Sequence, residues 1–137
     1  MKKTVKSMVD EATAAITSYS IEEARDMHGR DDVQFIDIRD VRELEREGVI
    51  PGAFHAPRGM LEFWVDPESP YHKPVFAQGK QLVLFCAAGW RSALATKTLQ
   101  DMGVPQVAHI DGGFSGWKAA GAPVSEQPAK AAHVAKG

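Results

Sequence analysis

The sequence predicts an α/β fold in which a parallel sheet is covered by helices on both faces. Short β-rich runs alternate with helix-prone segments along the chain, and the run at residues 82–85 is apolar without interruption. Alternating strands and helices favour a parallel sheet, and an unbroken apolar strand is typical of one buried on both faces. Sheets of this class bind their ligands at the carboxyl ends of the strands, so we expect the functional site there.

The first third of the chain is predicted to contain two helices and a strand. Apolar residues at helical spacing predict a leading helix over residues 5–17. Ser20 and Glu23 fit a capping box, which opens a short helix that ends near Met27. The run at 33–38 alternates between apolar and polar residues and is rich in β-formers, so it predicts the first strand.

The middle of the chain is predicted to be less regular. A charged helix over 40–47 ends at Gly48, and a short strand follows at 53–56. Residues 58–78 carry several aromatic residues and prolines with little periodicity, so we expect a long excursion with some helix at 60–64.

The last third returns to alternating elements. We predict a strand at 82–85, a helix at 92–102, a strand at 107–110 and a short helix at 114–119. The residues from Ser125 onward are rich in alanine, lysine, proline and glycine, which indicates a flexible tail.

Length and composition indicate one globular domain and exclude several classes of protein. The chain has 137 residues, of which 44% are hydrophobic and 25% charged, with a net charge of -2. It has no basic stripe and no run near the roughly 20 apolar residues of a membrane span, so we expect neither nucleic acid nor membrane as partner. Acidic residues Asp10 and Glu11 follow the amino terminus without an apolar stretch, so we expect a cytoplasmic protein.

The single cysteine, Cys86, is the strongest candidate for a reactive group. It follows the strand at 82–85 and opens a loop that leads into the next helix; residues 86–92 are called the Cys86 loop below. Small residues leave the backbone N–H groups uncovered and the helix adds its positive end, which favours thiolate over thiol. A cysteine that ends an apolar strand is usually part of the core. The glycine and Arg91 favour an anion site instead, so we predict that Cys86 is a nucleophile.

Metal binding is not expected. One cysteine cannot form an internal disulfide, and the five histidines show no metal-ligand spacing with it. We therefore predict no metal site and no cofactor. His55 and His109 are flanked by apolar residues and are predicted to be core histidines, while Asp37, Arg39 and Glu43 are predicted to form a structural charge network below the site.

Four segments together resemble a single rhodanese domain: Asp37-Ile38-Arg39, residues 43–53 with Gly48 and Ile50-Pro51-Gly52-Ala53, the Cys86 loop, and Asp111-Gly112-Gly113-Phe114 with Trp117. The resemblance covers residues 20–124 and implies a central parallel sheet of about five strands. Residues 1–19 are then an N-terminal helical extension and residues 125–137 a flexible C-terminal tail.

The resemblance implies a sulfurtransferase that carries sulfur as a persulfide on Cys86. The thiolate would take sulfur from thiosulfate or another donor and pass it to cyanide or a thiol acceptor, which includes an acceptor protein thiol. The substrate is then a small sulfur-containing anion or a thiol. The rest of the loop is implied to bind the substrate and the charged sulfur: Ala87, Ala88, Gly89, Trp90, Arg91 and Ser92.

Two loop positions depart from the family pattern. Ala87 stands where members that use thiosulfate often carry a basic residue, so one anion contact is missing. Trp90 is large and apolar, and two interpretations stay open: a surface for a protein or thiol partner, or a lid packed over the loop.

Other functions compete with sulfur transfer. A cysteine phosphatase or arsenate reductase of related fold needs five residues between cysteine and arginine, whereas Cys86 and Arg91 enclose four. A non-catalytic rhodanese-like binding module would usually lack the cysteine that this chain retains. A sulfur-relay carrier lies between the two, since its persulfide passes to another protein.

Overall fold

The computed structural model describes residues 1–127, and within them the predicted fold class is confirmed. Five strands form one sheet in the order β1-β5-β4-β2-β3, and every neighbouring pair is parallel. The strands are β1 (Thr17–Tyr19), β2 (Val33–Asp37), β3 (Phe54–His55), β4 (Gln81–Phe85) and β5 (Val107–Ile110). The helices are α1 (Val5–Ala15), α2 (Ile21–Met27), α3 (Val41–Glu47), α4 (Leu61–Val65), α5 (Trp90–Asp101) and α6 (Gly113–Ala119), with 3-10 turns at Arg58–Met60 and Pro74–Ala77.

Strand β4 lies at the centre of the sheet and explains the unbroken apolar run. Leu82 and Leu84 pack into the core on the face covered by α4 and α5. Val83 and Phe85 point to the opposite face, which α2 and α6 cover. Both faces are buried, so every side chain of this run must be apolar. The carboxyl end of β4 then delivers the chain into the Cys86 loop.

Residues 17–19 correct the prediction at the amino terminus. The leading helix was expected to reach residue 17, but α1 ends at Ala15 and the next residues form the edge strand β1 beside β5. A three-residue edge strand buries too little of its surface to impose an apolar pattern, so its sequence carries a weak signal. Helix α1 packs against α5 through Val9, Ala12 and Ala93.

Capping boxes fix two of the short helices near the site, and one of the boxes was predicted. The box of Ser20 and Glu23 is confirmed at the start of α2. A second box opens α3, where the Asp40 side chain accepts from the first turn and Glu43 accepts from the Asp40 N–H. Such reciprocal bonds satisfy the free N–H groups of a helix start. Glu43 is therefore held in place before it meets any other group.

The excursion and the carboxyl-terminal segment both return to the domain. Within residues 58–78, Trp64 and Phe76 make edge contacts with the Phe54 ring at 6.2 and 5.9 Å between centroids. Ser125 pairs with Val49 through two backbone bonds of 2.8 and 2.9 Å. Residues 128–137 of the predicted tail lie outside the described residues. No helix among residues 1–127 combines the length and the apolar character needed to cross a membrane.

Candidate active site

The Cys86 loop turns tightly between β4 and α5 and places a backbone donor on the sulfur. The Gly89 N–H donates to Cys86 Sγ at 3.2 Å, and the Ser92 hydroxyl lies 3.6 Å from the same sulfur. Gly89 has φ of 140°, a conformation that a residue with a Cβ rarely adopts. Cys86 itself is 1% exposed, so its sulfur lies beneath the loop.

Helix α5 starts earlier than the sequence indicated. It begins at Trp90 instead of residue 92, so Trp90, Arg91 and Ser92 form its first turn. The free N–H groups of this turn and the helix dipole both lie beside Cys86, and each favours negative charge there. Because α5 has 12 residues, its peptide dipoles align over several turns.

The first turn of α6 donates backbone hydrogen bonds to the start of the Cys86 loop. The N–H groups of Phe114 and Ser115 donate to the carbonyls of Cys86 and Ala87 at 2.8 and 2.9 Å. In a trans peptide the C=O and N–H point in opposite directions, so the next N–H of the loop points away from α6. Gly113 makes this approach possible: its φ is 55°, and a Cβ there would lie 2.4 Å from the Cys86 carbonyl oxygen.

Arg91 forms a bidentate ion pair with Glu43 of α3. Its guanidinium donates to both oxygens of Glu43, at 2.8 and 3.0 Å. The hydrogen bond from Arg91 lowers the pKa of Glu43 to about 2, although desolvation of the carboxylate acts to raise it. The same pairing raises the pKa of Arg91, and the negative charge of Cys86 adds to that effect. Arg91 thus supplies a fixed cation next to the loop sulfur.

A buried ion pair lies below the site and confirms part of the predicted charge network. Arg39 donates to both oxygens of Asp37 and to the Gly48 carbonyl, and both side chains are almost fully buried. The guanidinium also stacks over the Phe114 ring at 4.0 Å. This pair joins β2 to the end of α3 and to α6. Glu43, the third predicted member, pairs with Arg91 instead.

His109 is the site residue whose role the sequence did not reveal. It is buried, as expected, but its Nδ1 lies 2.9 Å from the Ser92 hydroxyl oxygen and its Nε2 3.0 Å from that of Ser18. Burial lowers the pKa of His109, and the Asp111 charge partly opposes this. A polar residue at an inward position of strand β5 was the only signal, and it does not name a partner.

The other predicted loop residues differ in their surroundings. Ala88 and Trp90 are exposed, and Trp90 retains 53% of its accessible surface. Ala87 is half-buried and lines a cavity of about 260 Å³ between α3 and α6, which also contacts the basic side chains Arg46 and Lys118. The structure therefore brings Gly89, Arg91 and Ser92 to the sulfur and leaves Trp90 at the surface.

Comparison with known proteins identifies the family. The family model of the rhodanese-like domain matches residues 20–120, which is most of the chain. The chain belongs to the rhodanese-like family. The five-stranded parallel sheet described above is therefore that of a rhodanese-like domain.

The relatives of this rhodanese-like chain carry different descriptions. A Rhodopseudomonas palustris structure, described as a protein of unknown function and possible tyrosine phosphatase, is 52% identical, covers 91% of this chain and 96% of its own, and has a TM-score of 0.89. The polysulfide-sulfur transferase homodimer of Wolinella succinogenes is 28% identical, covers 91% and 89%, and has a TM-score of 0.68. A protein named sulfurtransferase from Allochromatium vinosum is 28% identical over 69% of this chain and 79% of its own.

Some relatives are longer than this rhodanese-like chain. It matches 48% of the length of a Synechocystis protein and 58% of a mouse protein that contains a rhodanese-like domain. The chain thus spans about half the length of these two relatives.

Proposed function

We propose that the protein is a sulfurtransferase that carries a sulfane sulfur on Cys86. The observation that carries this proposal is the Gly89 N–H bonded to Cys86 Sγ at the start of α5. A donor aimed at sulfur from a helix start stabilises a thiolate, which is the nucleophilic form. The structure describes no other residue whose sulfur could form a persulfide by this route, since methionine sulfur has no proton to lose.

The proposed reaction has two steps, each of which forms one bond to sulfur and breaks another. The Cys86 thiolate attacks the outer sulfur of thiosulfate, forms a sulfur–sulfur bond and releases sulfite with the electron pair of the broken bond. Cyanide or a thiolate then attacks the outer sulfur of the persulfide, takes it, and returns Cys86 as thiolate. Both protein intermediates carry one negative charge. We propose that the loop binds that charge through the backbone of residues 87–92 and the side chains of Arg91 and Ser92.

The surroundings of the loop favour some donors and acceptors over others. Ala87 offers no charge to a sulfonate, which argues for a donor besides thiosulfate. The Wolinella relative is named for polysulfide, and polysulfide is therefore a candidate donor here. Trp90, exposed at the start of α5, offers an aromatic surface of the kind that anchors protein partners, which favours a protein thiol as acceptor. A reducing cytoplasm would keep Cys86 a free thiol for this chemistry.

Phosphatase activity is the second candidate, because the Rhodopseudomonas relative is described in those terms. Two observations disfavour it in this chain. Four residues separate Cys86 from Arg91, which gives a short loop for a tetrahedral oxyanion. Arg91 also gives two of its N–H groups to Glu43, so fewer remain to hold phosphate oxygens.

The test is the mass of the intact protein after exposure to a sulfur donor. We expect thiosulfate and polysulfide, in separate reactions, to add sulfur to the wild type and none to Cys86→Ser. Cyanide or a thiol should then remove it and regenerate the original mass. Absence of added sulfur with either donor, together with hydrolysis of an aryl phosphate that depends on Cys86, would replace this proposal with the phosphatase. Absence of both activities would favour a binding module.

A further inference from the structure

A buried line of polar side chains leads away from the reactive sulfur. Cys86 Sγ lies 3.6 Å from the Ser92 hydroxyl, which lies 2.9 Å from His109 Nδ1. The other ring nitrogen, Nε2, lies 3.0 Å from the Ser18 hydroxyl on the exposed edge strand β1. Ser92 and His109 are 0% and 3% exposed, so water cannot replace the bond between them.

The Ser92 hydroxyl has more neighbours than it has hydrogens. Its single proton can be donated to the Gly89 carbonyl at 3.2 Å, to His109 Nδ1 or to the Cys86 sulfur. Only a donation to sulfur stabilises a thiolate. The direction of the hydrogen bond between Ser92 and His109 therefore decides whether the Ser92 hydroxyl can donate to the Cys86 sulfur.

The neutral His109 ring has a single N–H group, which can donate to only one of the two neighbouring hydroxyls. Burial lowers its pKa, which favours the neutral ring with one donor and one acceptor nitrogen. If Nε2 carries the proton, Nδ1 accepts from Ser92 and removes its hydrogen from the sulfur. If Nδ1 carries the proton, Ser92 accepts from the ring and its own hydrogen stays free for the sulfur.

We propose that His109 is a positioning residue for the nucleophile: as the Nδ1–H tautomer it donates to Ser92, so that the Ser92 hydroxyl donates to the Cys86 thiolate. Ser18 completes the arrangement, since its hydroxyl donates to Nε2 and leaves the proton on Nδ1. The inference deepens the proposed function, because a persulfide anion needs the same donor. It makes His109 part of the sulfur site without contact to the substrate.

The hydrogen bonds of the His109 ring go to Ser92 and Ser18, and the charged groups near it act in other ways. Asp111, just after β5, acts on the ring through its charge alone, and Arg91 on α5 is paired with Glu43. The other ion pairs described for α1 and α5 lie at the surface: Lys3–Glu11, Lys6–Asp10 and Lys97–Asp101. Cys86 and His109 are thus the buried titratable side chains along this line of polar contacts.

Two amide variants of the full-length protein separate the two bonds of the ring. The side-chain amide of His109→Asn reaches the position of Nδ1 and can still donate a hydrogen bond to Ser92. The longer side-chain amide of His109→Gln reaches the position of Nε2 and can form a hydrogen bond with Ser18 instead. The readout is the ultraviolet absorbance of the Cys86 thiolate against pH, with Cys86→Ser as baseline. The chain has a single cysteine, so the signal reports on this residue.

We expect His109→Asn to retain the wild-type titration midpoint and His109→Gln to raise it by roughly one pH unit, the effect of one hydrogen bond to a charged group. In a Ser92→Ala background the two variants should give the same midpoint, because the hydroxyl that couples them is gone. Equal midpoints in the two variants with Ser92 intact, or a difference that survives Ser92→Ala, would overturn the proposal.

NMR of isotope-labelled histidine gives a second, independent readout. The His109 ring signals are identified by their loss in His109→Asn. Above the thiolate midpoint we expect the proton on Nδ1, and a proton on Nε2 would refute the assignment. Neither measurement uses a sulfur donor, so a protein that fails to form a persulfide but shows this coupling would disprove the proposed function alone.

Discussion

The Arg91 guanidinium is held by both oxygens of Glu43, at 2.8 and 3.0 Å, although the two residues are 48 positions apart in the chain. This bond joins the first turn of α5 to the first turn of α3. Because Glu43 is itself fixed by the capping box of α3, the cation beside Cys86 is positioned by two successive bonds. The charge near the sulfur is therefore a property of the folded chain and not of one flexible side chain.

The ion pair predicts a loss of stability in acid. Glu43 has a pKa of about 2 in the folded protein against an ordinary 4.5, so its stabilising effect is complete above pH 4.5 and disappears as pH falls toward 2. We expect Glu43→Gln to lower the free energy of unfolding by roughly 1 kcal/mol at neutral pH. The difference from wild type, measured by urea unfolding at several pH values, should shrink between pH 4.5 and 2. Glu68→Gln, which alters an exposed carboxylate in the excursion, is the control, and an equal pH dependence there would contradict the assignment.

The buried pair of Asp37 and Arg39 predicts a much larger effect on stability. Asp37→Asn leaves a guanidinium that is 1% exposed without its counter-ion, which costs about 3 to 5 kcal/mol for pairs of this kind. Asp32→Asn is the matched control, because it removes the partner of Arg30 at the surface, where solvent screens the pair, and should cost far less stability. Denaturant unfolding of both variants gives the comparison. Similar losses in the two would show that burial does not set the strength of the Asp37 bond.

Gly113 predicts a coupling between α6 and the reactive loop. A methyl group there would lie 2.4 Å from the Cys86 carbonyl oxygen, so Gly113→Ala must displace the loop backbone. We expect a loss of about 3 kcal/mol or more and slower persulfide formation. Gly121→Ala has a similar positive φ, with no atom within 4 Å of the added carbon, and should cost only about 1 kcal/mol. If both variants form the persulfide at equal rates, the contact between α6 and the loop is not required.

Ala87 predicts a gain of function toward thiosulfate. It lines the cavity between α3 and α6, so a longer side chain has room beside the loop. Ala87→Lys adds a cation for the sulfonate group, and we expect a roughly tenfold lower KM for thiosulfate, the effect of one charge-assisted hydrogen bond. Ala14→Lys, at an exposed position of α1, adds the same charge far along the chain from the loop and controls for net charge. An unchanged or raised KM in Ala87→Lys would remove the proposed reason for a different donor.

The sequence predicts the central elements better than the edges. Strand β4 is buried on both faces, which imposes a continuous apolar run, and the same constraint holds for β5, whose predicted bounds at 107–110 are confirmed. The two edge strands have three and two residues and carry no comparable pattern, so β1 was missed and β3 is shorter than predicted. The capping box of Ser20 and Glu23 is a local signal between residues three apart, and it was therefore visible in the sequence.

The contacts of the candidate site were harder to predict than its position. The place of Cys86 at a strand end follows from local order, but its bonding partners depend on which strands are neighbours. Ser18, Ser92 and His109 meet because β1 pairs with β5 and α5 crosses above them. Glu43 meets Arg91 for the same kind of reason. No periodicity in the chain encodes these distances, since each joins elements far apart in sequence.

The bonds from Phe114 and Ser115 to the carbonyls of Cys86 and Ala87 also set an order of events during synthesis. A ribosome releases the chain from its amino terminus, so Cys86 emerges well before the helix that fixes its loop. Until α6 has left the ribosome, the thiol lacks the backbone geometry that the finished domain gives it. The reactivity proposed for this cysteine would thus be acquired late, because a chain that stops short of α6 lacks the bonds that hold the loop.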